Sequence, residues 1–252
     1  MVRLGIAMKI KDFDKAEQLI QQYNFPFEVV HYTDITNDYA VYHMLREKYD
    51  QGDHRGWGIY VWAERPSFPV VVQVTHPIFD EQTHNVGARV FRAGAYGFFM
   101  HGSHRYSWPS ASDQTGLFSD RITKSDPSGT DLIPMLAFQL VESRPDRAFI
   151  QIHGFTKRNK PERADYPAVI VSEGSPAGPG SSRVKAFVDQ LNQAGLRAGL
   201  YHGTAYERVH DDEEGEFFYG DLGAETNRGG AWTNALLVKP GHFIHCEIET
   251  IF

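Results

Sequence analysis

Val70-Val71-Val72-Gln73-Val74-Thr75-His76-Pro77-Ile78-Phe79-Asp80-Glu81-Gln82-Thr83 is the stretch whose reading decides the fold. Its first half is a β-branched run, the mark of a buried strand. The His76-Pro77 pair breaks that run, two carboxylates follow at Asp80 and Glu81, and a helical pattern starts at Asn85. A strand ending in histidine, with acids at the next helix's N-terminus, sits where open α/β sheets place ligands, outside the strands' carboxyl ends. Working outward, two further strands finish the same way. Residues 95–100 lead into His101-Gly102-Ser103-His104-Arg105, and residues 148–152 lead into His153-Gly154-Phe155. Three strand ends carrying His, Asp/Glu and Arg point to a metal-assisted hydrolytic site.

The rest of the chain supports an α/β reading. Residues 12–23 place Phe13, Ala16, Leu19 and Ile20 at helical spacing behind an acidic first turn. Residues 25–31 read as a strand, and 34–49 as a second helix on Ala40, Val41, Met44 and Leu45. Residues 56–63 alternate like a strand, while 3–9 are a short strand or a tail. Residues 85–93 and 95–100 complete a βαβ unit around the opening stretch. Further helices are expected at 130–142 and 181–193, and further strands at 167–171, 196–201 and 242–249. Long irregular segments at 101–129 and 202–230 are more often functional than idle at that length. The expected architecture is one domain over 1–252, a three-layer α/β/α sandwich with a mostly parallel central sheet.

The totals exclude several classes. With 252 residues, 41% apolar and 23% charged, the composition is ordinary for a globular chain. A net charge of −7 argues against nucleic acid or an anionic membrane as partner, since both select basic surfaces. The chain lacks an apolar run long enough for a membrane span, and its first residues turn polar too early for a signal-peptide core. Neither point fixes the compartment or the oligomeric state. The single Cys246 rules out an internal disulfide and a cysteine zinc site. No nucleophile elbow or phosphate-binding glycine motif appears.

The chemistry-bearing residues each have a plainer alternative. His76 with Asp80 or Glu81, plus His153, is the two-imidazole, one-carboxylate set of catalytic zinc, which leaves a position for water. Against that, His76 can simply end a strand and Asp80 can N-cap a helix. Glu247, flanked by Ile244, Cys246 and Ile248, is costly to bury unless paired or used, and beside activated water it serves as general base. Glu249, on the same face, is its rival. Arg105 can hold a substrate carboxylate or polarise a carbonyl, or be ordinary surface. His101 and His104 divide between support of a site residue and simple turn residues, and Lys157, Arg158 and Lys160 between attraction of an acidic substrate and a solvated loop. Cys246 reads as a buried, inert thiol.

The series strand–His76-x-x-x-Asp80-Glu81-x-Thr83, then a strand ending in His153-Gly154, then Glu247-Ile248-Glu249 resembles the zinc carboxypeptidase-like amidohydrolases. Within them it is most similar to the N-formylglutamate amidohydrolase and poly-γ-glutamate hydrolase branch. The resemblance implies a phosphorylase/hydrolase-like fold and hydrolysis of an amide in a small-molecule or peptide-like substrate. It also implies zinc held by His76, a middle carboxylate and His153, with Glu247 as base and Arg105 on the substrate. His104 and Arg158 are the further substrate-binding candidates. The middle ligand departs from the pattern: counting back from Thr83 selects Asp80, counting forward from His76 selects Glu81, and the Thr register favours Asp80. Pro77, Ile78 and Phe79 stand where those relatives carry glycines, which changes the floor a substrate meets.

Overall fold

The structure, a computed structural model, describes Leu4, residues 7–8, 10–48, 58–102, 146–157, 166–173, 181–201 and 242–250. Leu4, Ala7 and Met8 are helical and buried, so their spacing of three and four is that of a helix face and not of the short strand or tail expected there. Helix α1 (Phe13–Tyr23) starts where Asp12 caps it, its side chain accepting from Lys15 N, and ends at Asn24 in the left-handed conformation. Strands β1 (Phe27–Asp34) and β2 (Ala40–Glu47) form an antiparallel hairpin in place of the expected helix over 34–49. Thr36 donates to the Asp34 carboxylate through N and Oγ1, and Asp38 and Tyr39 adopt positive φ, which turns the chain back.

Strands β3 (Ile59–Ala63) and β4 (Phe68–Val74) follow, then helix α2 (Thr83–Arg92) and β5 (Ala95–Met100). Strands β6 (Ala148–Phe155) and β7 (Val169–Ser172), helix α3 (Ser182–Gln193), β8 (Ala198–Leu200) and β9 (Phe243–Glu249) complete the elements. All nine strands join one sheet in the order β1-β2-β3-β5-β4-β6-β9-β7-β8. The sheet is mixed, which corrects the expectation of a mostly parallel one. A parallel block, β5-β4-β6-β9, is flanked by antiparallel neighbours: β3 pairs antiparallel with β5, and β7 with β9.

Adjacent residues on a strand face opposite sides, so Val71 and Val72 separate the two faces of the sheet. On one face Val71, Phe99, Phe149 and Phe243 pack with Ala16, Leu19 and Ile20 of α1. On the other, Val72, Val74, Phe98 and Ile152 pack with Phe91 of α2. Val169, Val171, Ile244 and Cys246 pack with Val184 and Val188 of α3. Gly87 permits the close seat of α2, since a Cβ there would lie 2.6 Å from Val74 Cγ2 and 2.8 Å from Phe98. The chain crosses from one side of β4 (β5) to the other (β6), so the carboxyl ends of β4 and β6 flank a topological switch point. The helix expected at 130–142 and most of the two long segments lie outside the described residues.

Candidate metal centre

The parallel block stacks its face in rows. Val71, Phe149 and Phe243 form an apolar row, and Gln73, Gln151, His245 and Ser172 form a polar one above it. One step further toward the carboxyl ends, His153 on β6 is the register partner of Glu247 on β9. His153 therefore lies inside its strand, which runs on to Phe155, and not just past its end. Period-two alternation aims Gln151 and His153 to one side together, as it does His245 and Glu247.

His76 and Asp80 enter from the turn after β4. Pro77 biases His76 toward extended backbone, and the turn then closes as Asp80 N donates to His76 O at 2.7 Å. That single bond places the i and i+4 side chains together. Thr83 donates from both N and Oγ1 to the Asp80 carbonyl oxygen. Asp80 is therefore not the N-cap of α2; that position is Gln82, in the left-handed conformation and without a side-chain cap. The Asp80 carboxylate instead turns inward.

The result is a compact triangle. His153 Nδ1 lies 3.1 Å from Asp80 Oδ2, His76 Nδ1 lies 3.3 Å from His153 Nδ1, and His76 Nδ1 lies 3.7 Å from Asp80 Oδ2. A tetrahedral zinc with bonds of about 2.0–2.2 Å separates its ligand atoms by roughly 3.3–3.6 Å. The triangle has the size of one face of such a tetrahedron. All three residues are buried, and Asp80 Oδ1 has no hydrogen-bond partner among the described residues. A buried carboxylate oxygen left in that condition is costly unless a positive charge sits beside it. The donor set fits a zinc ion.

A second group, His153, His245 and Glu247, also brings potential ligand atoms within 4.8 Å of one another. His153 Nε2 is already occupied, 2.9 Å from Thr75 Oγ1 and 3.1 Å from Gln151 Oε1. The ring thus presents its other nitrogen to His76 and Asp80. His245 Nε2 is 3.5 Å from Glu247 Oε1, and burial, with His153 beside it, holds its pKa well below the ordinary imidazole value. His245 is neutral there. The cluster touches the surface through His153 and Glu247, each with 11% of its side chain exposed.

The remaining candidates sort by position. Glu81 is exposed and outside the triangle. Glu249 is bound to Lys157 at 3.0 Å, so it is committed where Glu247 faces His153. His101 directly follows β5 and is buried, and burial lowers its pKa to about 4. It carries no charge at neutral pH. Burial, helped by the Glu247 charge, raises the Cys246 thiol to about 12, in keeping with an inert thiol. Of the residues expected to change the substrate floor, Pro77 is buried, and Ile78 and Phe79 are exposed at 54% and 38%. Arg105, His104 and Arg158 lie outside the described residues. Sequence reasoning overlooked Thr75, Gln151 and Gln73. Gln151 sits two residues before His153 on β6, which is the signal that could have found it, and Gln73 is its register partner on β4.

Gly154 lets the Asp80 turn approach β6. A Cβ there would lie 2.9 Å from Thr250 Cγ2, 3.2 Å from Asp80 Cβ and 3.3 Å from Thr83 Cγ2. Gly154→Ala is expected to destabilise the fold by about 1–3 kcal/mol through overpacking. Thr250→Ser in the same chain removes the nearest contact and should return part of that loss. Thermal melts of the three proteins check this, and an unchanged midpoint for Gly154→Ala would contradict the packing.

Neither a protein-family model nor a curated protein sequence matches this chain. One solved structure does. It is the crystal structure of N-formylglutamate amidohydrolase from Ralstonia eutropha JMP134, with a TM-score of 0.42 and 14% identity, over 74% of this chain and 83% of that one. The chemistry below rests on the side chains themselves.

Proposed function

We infer that the chain is a zinc-dependent hydrolase of an amide bond in a small-molecule or peptide-like substrate. The observation that carries this is the triangle of His76 Nδ1, Asp80 Oδ2 and His153 Nδ1, with a buried carboxylate, Glu247, in register with one of its corners. His76, Asp80 and His153 hold the ion. When bound, zinc supplies Lewis acidity and lowers the pKa of the water held with it. Glu247 takes the proton from the attacking water as the carbon–oxygen bond forms. It then delivers that proton to the departing amine nitrogen, which leaves poorly without one. Arg105 is assigned to steadying the carbonyl oxygen as charge develops. His104 and Arg158 are assigned to the substrate's outer groups. Helices packed on opposite faces of the sheet favour the three-layer arrangement, and one sheet through all described strands favours a single domain.

A second reading, phosphoester hydrolysis with two cations, is favoured by the second ligand group at His153, His245 and Glu247. One experiment tests both. Metal analysis of the purified protein is expected to give one zinc per chain, and a panel of N-acyl amino acids, γ-glutamyl peptides and phosphoesters is expected to show turnover of amides only. Two metals per chain with phosphoester turnover would replace the first reading with the second. A metal-free protein that takes up no added zinc would overturn both.

A further inference from the structure

The polar row beneath the triangle is arranged as more than mutual satisfaction of buried groups. Gln73 and Gln151 are register partners on β4 and β6, at 2% and 1% exposure. Gln151 Nε2 donates to Gln73 Oε1 at 3.3 Å. That bond commits the amide's donor end and turns its oxygen toward His153 Nε2, 3.1 Å away. An amide oxygen only accepts, so Gln151 calls for the hydrogen of His153 on Nε2. The Asp80 carboxylate facing Nδ1 also only accepts, so a cation between Nδ1 and Asp80 Oδ2 is what lets the ring keep its single hydrogen on Nε2. Thr75 Oγ1, 2.9 Å from the same Nε2, steadies the ring from the β4 side.

We propose that Gln73 and Gln151 form a positioning relay that fixes the ring orientation and tautomer of His153 for cation binding. The proposal deepens the zinc reading and rests on it. Gln73 acts through Gln151. Without its oxygen, the Gln151 amide loses the acceptor that orients its donor end; turned over, it would offer NH2 to His153, favour the ring hydrogen on Nδ1 and oppose ligation there. A neutral amide suits the place. Asp80 and Glu247 already put two buried carboxyl groups around this histidine, and a third carboxylate would add charge to a row with no cation of its own.

The test begins with zinc affinity of the whole chain, measured by chelator competition. Wild type is expected to bind zinc, and Gln151→Met, which keeps the volume and loses the acceptor, to bind it about 10–100-fold more weakly. Gln73→Met leaves Gln151 in place and removes the oxygen that orients its amide, so it should also weaken zinc binding measurably; wild-type affinity in Gln73→Met overturns the relay. A purely structural role would lower the thermal midpoint of Gln151→Met and leave its zinc affinity at the wild-type value. That result overturns the relay. Should Gln151→Met fail to fold, two-bond ¹H–¹⁵N correlation spectra of the zinc-loaded wild type decide the matter. Hydrogen on His153 Nε2 supports the relay, and hydrogen on Nδ1 overturns it. A wild type that takes up no zinc overturns the metal assignment and the relay with it, and the first titration reads this before any variant is made.

Discussion

Glu247→Gln is expected to retain one zinc per chain and to lose amide turnover by about 10²- to 10⁴-fold, the usual contribution of a positioned acid–base group. The substitution keeps the shape and a hydrogen-bonding amide, so burial next to Cys246 and Ile248 is undisturbed. What it removes is a group able to accept a proton and return it. Glu249→Gln serves as the comparison. Its carboxylate holds Lys157 at the outer end of the same strand, so turnover should change little. Full activity in Glu247→Gln would remove the base from the mechanism. Loss of zinc from that variant would instead make Glu247 a ligand and favour the second cluster.

His153→Ala is expected to lose the ion altogether, a larger effect than the 10–100-fold associated with an outer partner. Among the described residues, His153 is the side chain whose two ring nitrogens serve both neighbourhoods: Nδ1 meets Asp80 and His76, while Nε2 meets Thr75 and Gln151. Removing it strands a buried carboxylate as well as a site, so the apo fold should also weaken by a few kcal/mol. His84→Ala is a neighbouring control, because His84 belongs to neither ligand group. Stoichiometric zinc in purified His153→Ala would end the ligand assignment.

The parts of the fold legible in the sequence were those whose local signal and tertiary setting agree. The valine run before His76 has no rival to a buried strand, and the spacing through 83–92 belongs to a helix that buries Phe91. Residues 34–49 were misread because Ala40, Val41, Met44 and Leu45 also fit helical spacing. Both faces of that strand are covered, Leu45 on the α1 side and Tyr42 on the other, so the alternation that marks a half-exposed strand is blurred. The direction of β3 and β7 was hidden for a different reason. Strand order arises from contacts between segments far apart in the chain, and no local pattern carries it. At the site, histidine and acid side chains advertise themselves. The choice between Asp80 and Glu81 depended on how the turn closes, through the Asp80 N to His76 O bond. The glutamines went unseen because an uncharged amide draws attention only once its partner is known.

Strands β6 and β9 run side by side in an unbroken seven-pair ladder from Phe149↔Phe243 to Phe155↔Glu249. The backbone spacing of His153 and Glu247, register partners in that ladder, is therefore set by main-chain bonding. Phase matters more than composition in β9: deleting one residue before Glu247 would deliver Ile248 to the His153 side and bury the acid among the valines of β7 and α3. A change of residue in β9 alters one side chain, whereas a change of count exchanges its two faces.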